Sequence, residues 1–484
     1  MEIEKKEKRG RYLLYLAAML IPCVYMLLWY FIQGHGFLAG KPYYSDELGY
    51  WRVMFSFDNC GFDFGPGEFF VGYPPTLGSF GSHGLSTVPA WGWYALLFPW
   101  KDNSIFVANF IALTMSIAVF LLLVKPKRKE MLLIIPTLLL FAPMFLYINT
   151  CMMEIPCTAA IIVYSGLYLR WREKREKSVF VLALLTGAFL ALLRICYVIV
   201  LVPLLWEKWE FKYNVKAIAG MLCFAAAVLV MYRAEGLFMS LYPGSFEEIL
   251  GNIPGFEKLR VLAMHTLKNI RIYFLGMLSV SEESVFRWLY MAVLCLFAFR
   301  SLRGGEKKRL YFSFTAIYAA LLAATFLMYD IGSWRDYRSM FPALIFALLF
   351  IAVDRDLHIG EKYTVLAALA VMFALTLIPT FRGGEFVHPE RFEKSADNRA
   401  SFAEVFGEEK ASVAVMSEDG VFDRLRDIPP QIGVQWMFDE GGVIDSDTEF
   451  IMIGGDDREV APEYEFAGRP AEKCYVYRRI GLDG

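Results

Sequence analysis

Long apolar runs, separated by short polar links, fill most of the first 380 positions of the chain. The first, about residues 12–32, reaches the roughly 20-residue length a helix needs to cross the core of a bilayer. Further runs lie near 104–124, 131–150, 155–169, 178–193, 195–206, 217–232, 285–299, 310–329, 340–353 and 363–380. Lys and Arg gather at alternate ends of these runs, as at Lys5 to Arg11, Lys125 to Lys129, Arg170 to Lys177, Lys208 to Lys216 and Arg300 to Arg309. Basic flanks stay cytoplasmic, so the pattern predicts an α-helical polytopic membrane protein of about 11 transmembrane helices with its N-terminus inside.

Links on the other side are longer. The first outer loop, 33–103, is rich in Gly, Pro and aromatic residues. Its apolar part, Leu85 to Trp100, is broken by Pro89 and Pro99 and reads as an interfacial helix, with a full span as the competing reading. A second large outer loop, 233–284, is amphipathic from Leu262 to Leu278. The membrane portion is thus 1–380, and composition changes over 381–484. There the residues 413–416, 450–453 and 475–477 read as short strands, with helical stretches near 399–406 and 420–426. An odd number of spans makes 381–484 a small soluble C-terminal α/β extracytoplasmic domain.

Composition agrees with a bilayer environment. The chain is 57% apolar and 16% aromatic, against roughly 45–50% apolar for soluble domains. A net charge of −2, with no basic tract interleaved with aromatics, leaves no footprint for nucleic acid. The eight cysteines are scattered, and none forms a CxxC or pairs with His at metal-ligand spacing. Cys60 and Cys474 form the one pair placed for a conceivable disulfide. No phosphate-binding glycine motif, fixed-period repeat or Asn-x-Ser/Thr site occurs. The first run is long and lacks a small-residue cleavage site, which marks a retained anchor.

Ionisable groups at membrane depth are costly to keep, so those at the outer ends of the runs are the candidates for chemistry. The stretch Tyr43-Tyr44-Ser45-Asp46-Glu47-Leu48-Gly49-Tyr50-Trp51 sets two adjacent carboxylates just past the first run, among aromatics that favour the interface. Glu154 lies between the third and fourth runs, Arg194 between two short ones, and Arg335-Asp336-Tyr337-Arg338 ahead of the tenth. Acidic and basic groups on one side suit a reaction on an anionic, membrane-held substrate. Plainer readings stand beside this one. Asp46 and Glu47 can be solvated loop charges, and Glu154 before Pro156 can simply start a helix. Arg194 can snorkel from a turn, and Arg335 and Arg338 can pair with Asp330 and Asp336. His35, His83 and His265 share no ligand spacing. The carboxylates Asp46, Glu47 and Glu154 allow a divalent cation without requiring one.

Together these residues resemble the GT-C superfamily of polytopic glycosyltransferases, most nearly its bacterial protein-mannosyltransferase-like and aminoarabinose-transferase-like branches. Asp46-Glu47 followed by Tyr50 is similar to the Asp-Glu pair of that family's first outer loop. Gly81-Ser82-His83-Gly84 through Pro89, then Trp93 to Leu97, resembles its His-Pro-Pro stretch, with Gly84 in place of the first proline. Leu185 to Arg194 is similar to its glycine-containing helix ending in a basic residue, and Tyr337-Arg338 through Pro342 to its basic–aromatic pair before proline. The resemblance covers residues 10–380 in layout; the tail has no counterpart.

That resemblance implies inverting transfer of a hexose or pentose from a polyprenyl-phosphate-sugar donor, at the plasma (inner) membrane. The acceptor would be a lipid-linked glycan, a cell-wall polymer or a protein. It implies Asp46 as general base with Glu47 beside it, and Arg194, Arg335 and Arg338 as donor-phosphate ligands. Glu154, Tyr50, His83 and Tyr337 would orient the substrate. No cofactor is required, a divalent cation is allowed, and no metal ligand is assigned. Two other classes compete. An O-antigen polymerase or ligase would carry one large outer loop between later segments. A transporter or flippase of a lipid-linked substrate would show paired halves and charges at mid-membrane.

Overall fold

The structure, a computed structural model, describes residues 2–43, 45–61, 86–208, 255–279, 281–303, 307–328, 331, 338, 340–383, 387–392, 398–416, 422–437, 443–454 and 459–481. It is mostly helical, with a small sheet near the C-terminus. Among the described residues, four helices are long and apolar enough to cross a membrane: Ser104–Val124, Glu283–Arg303, Lys308–Leu327 and Ile359–Phe381. The pair Gly10–Met19 and Ile21–Gln33, bent by 44°, makes a fifth if taken as one span. Pro22 opens the second piece and has no N–H to carry the hydrogen-bond ladder across the join.

The expected count of eleven is therefore not supported. The run at 131–150 is two pieces, Arg128–Leu139 and Ala142–Tyr147, with Pro136 and Pro143 on either side of the break. Phe341–Val353 has 13 residues, a rise of about 20 Å against a hydrocarbon core of about 30 Å. The apolar stretch around residues 85–100 holds only the nine-residue helix Thr87–Ala95, too short for a span. The run at 217–232 and the first part of the loop at 233–284 lie outside the described residues. The rest of that loop carries the helix Gly255–Gly276.

Short as it is, Phe341–Val353 is the centre of the bundle. Every residue from Phe341 to Ala352 is buried, as a helix apolar on all sides must be. Phe314 meets Phe346 and Phe350 with ring centroids 5.0 and 4.6 Å apart. The helix Glu154–Lys174 is buried along most of its length. At Gly166 an added Cβ would lie 3.1 Å from the Phe120 backbone, so the approach to Ser104–Val124 depends on the missing side chain.

The tail forms a five-stranded mixed sheet of β1 (Ala411–Met416), β2 (Ile432–Met437), β3 (Phe450–Ile453), β4 (Tyr464–Ala471) and β5 (Cys474–Arg479), ordered β2-β1-β3-β5-β4. β1 pairs in parallel with β2 and β3, while β5 is antiparallel to β3 and β4. Both faces are covered: Val413 and Val415 join Phe402, Phe406 and Val476 on one, and Ala414 and Met416 join Ile451 and Tyr464 on the other. The predicted helical stretch near 420–426 is the 3-10 helix Phe422–Arg426. No disulfide joins Cys60 and Cys474, so the conceivable bridge is not formed. Burial in the sheet pushes the Cys474 thiol up to about 11.

One helix, Ser45–Cys60, joins bundle and sheet. Its Tyr50, Trp51 and Met54 enter the core of the bundle, whereas Leu48 enters the core of the tail. Arg52, buried, donates to the carbonyls of Ile428 and Pro429 and, at 2.7 Å, to that of Ile432. Ser56 adds a hydrogen bond to Pro430 O at 2.7 Å. Asp102 takes Arg426 and Arg399 at 2.8 and 3.1 Å. Carbonyls in an irregular segment have no ladder to satisfy them, so one guanidinium with five donors meets a need that an apolar residue could not. Arg52→Ala should accordingly destabilise the protein by about 2–4 kcal/mol. The readout is the thermal unfolding midpoint of the detergent-solubilised protein by tryptophan fluorescence, and an unchanged midpoint would remove Arg52 from the joint.

Candidate functional site

Four separate helix ends deliver charged side chains to one place. Glu154 is the first residue of Glu154–Lys174, and Pro156 is tolerated there because first-turn N–H groups have no intrahelical partner. Arg194 ends Lys177–Leu193: its backbone is extended at φ −155°, ψ 123°, and a 3-10 helix follows at once. Arg338 lies just before Phe341–Val353. Asp46 comes from the first turn of Ser45–Cys60, where the positive end of the helix dipole favours a carboxylate.

The four form one chain of ion pairs. Arg194 Nη2 donates to Glu154 Oε1 at 3.0 Å. Arg338 Nε is 3.9 Å from the same oxygen, and its Nη1 is 3.3 Å from Asp46 Oδ2. Exposure is graded along the chain. The Glu154 side chain is 2% exposed and that of Arg194 20%, whereas Asp46 and Arg338 are each 36% exposed. Glu154 Oε2 is buried and has no hydrogen-bond partner among the described residues. Burial alone would lower the pKa of Arg194 and Arg338, but the surrounding acidic groups, the Glu154 carboxylate foremost, together hold both above the ordinary guanidinium value. Tyr50 lies in the same field, buried, edge-on to Trp91 with centroids 5.7 Å apart. Its burial pushes the phenol up and keeps it protonated.

Glu47 goes elsewhere. It is fully buried; Oε1 accepts from Cys151 N–H at 3.0 Å and from Arg391 Nη2 at 3.1 Å, and Oε2 accepts from Tyr43 N–H at 2.9 Å. Arg391 Nη1 is 3.1 Å from Oε2, and only 1% of the Arg391 side chain is exposed. The expected catalytic pair is thus divided: Asp46 joins the open cluster and Glu47 a sealed ion pair. Because Cys151 is three residues before Glu154, the Glu47 carboxylate also fixes the loop that presents Glu154. Among the described residues, no group of three or more His, Cys, Asp and Glu side chains is arranged to hold a metal ion. Both oxygens of Glu47, one of the three carboxylates considered for a cation, are taken by other donors.

Of the sequence candidates, the structure brings Asp46, Glu154, Arg194, Arg338 and Tyr50 together. His83, Arg335 and Tyr337 lie outside the described residues. Sequence reasoning missed Arg391 and Arg52. The stretch His388-Pro389-Glu390-Arg391-Phe392 looks like the start of a solvated tail, yet it folds back on the first loop. His388 stacks on Tyr43 with centroids 4.8 Å apart, and Phe392 on His35 at 5.0 Å. Ring-bearing residues four apart around the arginine were the one available signal.

No protein-family model matches the chain, and no curated protein matches it. Among solved structures it is similar to two crystal structures of an oligosaccharyltransferase from Archaeoglobus fulgidus. One is a complex with Zn and sulfate; the other is tethered via a disulfide bond to an acceptor peptide containing the NVT sequon. Identity is 12% in both, over 87% of this chain, and the TM-scores are 0.46 and 0.44. The chain spans 62–63% of the length of those proteins.

The two neighbouring acids should respond differently to the loss of charge. Glu47→Gln leaves a buried guanidinium without its counter-charge and should cost about 3–5 kcal/mol. Asp46→Asn, at a site more than a third exposed, should change stability by less than about 1 kcal/mol. Paired denaturation curves in detergent check this, and the reverse order would make Asp46 the structural acid.

Proposed function

We propose that this chain is a membrane-embedded glycosyltransferase of the GT-C type, using a polyprenyl-phosphate-sugar donor and an acceptor hydroxyl at the outer face of the membrane. The observation that carries the reading is the convergence of Asp46, Glu154, Arg194 and Arg338 at one end of a helical bundle. An exposed carboxylate beside two guanidinium groups provides a proton acceptor and an anion clamp in one site. Its aromatic surroundings are those of a membrane interface.

In this reading the acceptor oxygen attacks the anomeric carbon as the bond from that carbon to the phosphate oxygen breaks. The acceptor proton passes to Asp46, and the bonding electrons leave with the lipid phosphate. Arg194 and Arg338 stabilise the charge on that leaving group, which needs no general acid. Arg338 pairs with Asp46 in the structure, so a donor phosphate competes with Asp46 for the same guanidinium. Donor binding would then free the carboxylate to face the acceptor, linking deprotonation to the presence of both substrates. Glu154 anchors Arg194, and its second oxygen is placed to accept a hydrogen bond from a sugar hydroxyl. Arg335, His83 and Tyr337 extend the proposed donor and acceptor sites on the strength of the sequence resemblance. Glu47 supports the site through Arg391 and Cys151. A divalent cation, if used, would draw on Asp46 and Glu154.

The test is incubation with a panel of labelled polyprenyl-phosphate sugars, scoring release of free lipid phosphate. With an active donor, Asp46→Asn should lower turnover by about 100-fold or more while the protein stays folded. Near-normal turnover would reject Asp46 as the base. Arg194→Lys keeps the charge but loses the planar fork, so it should raise the KM for donor more than it lowers kcat. An unchanged donor KM would count against a phosphate role.

A further inference from the structure

Two of the helices that present the Asp46 cluster at one end, Glu154–Lys174 and Phe341–Val353, line a cavity of about 900 Å³ at the other. Glu154–Lys174 has 21 residues, so the two sites are about 30 Å apart along its axis. Nine Lys or Arg residues line the cavity against five Asp or Glu, leaving it cationic.

The charges fall into two groups. Deep in the wall, Arg172 pairs with Glu207 at 3.1 Å and lies over the Phe350 ring at 5.5 Å. Lys307 pairs with Asp354, which also accepts from Tyr311 OH at 2.6 Å. Those acids are spent on structural cations: Lys307 and Tyr311 outweigh burial and hold Asp354 below the usual carboxylate range. At the rim, Lys125, Lys127 and Lys174 are exposed and have no ion pair among the described residues. Lys125 and Arg175 cap two helix C-termini in left-handed conformation, at φ 50° and 54°. They offset the negative ends of those dipoles, which would otherwise repel an anion. Leu169, Leu310, Val353 and Trp206 add apolar wall between the charges.

We propose that this cavity is a binding site for a phosphate group, carried either by an anionic phospholipid headgroup or by a soluble phosphate. Unpaired lysines at the rim supply the attraction, and the fixed ion pairs behind them keep the pocket open and shaped. Basic pockets between helices at the Lys/Arg-rich side of a membrane protein suit anionic headgroups, and the mixed apolar wall suits the adjoining glycerol and acyl chain. The site is independent of the proposed transfer chemistry.

The experiment measures binding of dioctanoyl phosphatidylglycerol, dioctanoyl phosphatidylcholine and inorganic phosphate to the full chain in detergent by native mass spectrometry. One variant combines Lys125→Gln, Lys127→Gln and Lys174→Gln at the rim. A control combines Lys129→Gln, Lys177→Gln and Lys308→Gln, which are exposed but do not line the cavity. Phosphatidylglycerol should bind the parent and the control alike, and the rim variant at least about tenfold more weakly. If excess inorganic phosphate displaces the lipid with the same dependence on the rim, the ligand is soluble phosphate; if it does not, the lipid headgroup is the ligand. Equal binding by all three proteins, equal binding of phosphatidylcholine, or no binding of either phosphate source would overturn the proposal.

Discussion

A carboxylate and a guanidinium sealed from solvent, Glu47 and Arg391, hold the first loop, the link after the last long helix and the 147–153 loop to one another. Removing two charges from water costs several kcal/mol each, and only near-complete pairing offsets it. Glu47 meets that demand with two backbone N–H donors besides the arginine. The outcome is geometric as well as energetic. Successive residues on a helix differ by about 100° in direction, so fixing Glu47 toward Arg391 sends the neighbouring Asp46 to another side, where Arg338 meets it. An adjacent acid pair is in this way a device in which one carboxylate orients the other.

The same helix explains why the tail sits where it does. Leu48 and Arg52, one turn apart, face the sheet core and the carbonyls of 428–432, while Tyr50, Trp51 and Met54 face the bundle. A helix with two buried faces has little freedom to rotate, and Asp46 inherits that rigidity. Among the described residues, the tail therefore contributes to the position of the site without lending it a side chain, apart from what Arg391 does through Glu47.

Much of the helical layout was legible because hydrophobic runs and Lys/Arg clusters are strong, redundant signals. The helix Ser104–Val124 coincides with its predicted run, and most others differ by a few residues. What composition could not give was which runs are long and straight enough to span, since Pro136 and Pro143 break one and Phe341–Val353 is short. In the tail, β1, β3 and β5 carried dense apolar patterns. β2 and β4 did not, because Gly433 and Gln435 interrupt one, and Gly468 and Pro470 interrupt the other. Both are edge strands, where glycine and proline are tolerated. At the site, sidedness was enough to gather Asp46, Glu154, Arg194 and Arg338. The partner of Glu47 was barely legible: for a pairing across more than 300 positions, the one local trace was the ring-bearing residues on either side of Arg391.

Buried polar atoms in a folded protein are nearly always satisfied, and those that are not tend to mark function. Glu154 shows the contrast within one side chain. Oε1 is shared by two guanidinium groups, while Oε2 is buried with no donor among the described residues. Leaving such an oxygen unpaired costs about 1–3 kcal/mol, and Glu47, in the same region, leaves neither of its oxygens so. The unmet acceptor of Glu154, beside Arg194 and Arg338, is the feature on which its proposed role toward a sugar hydroxyl rests.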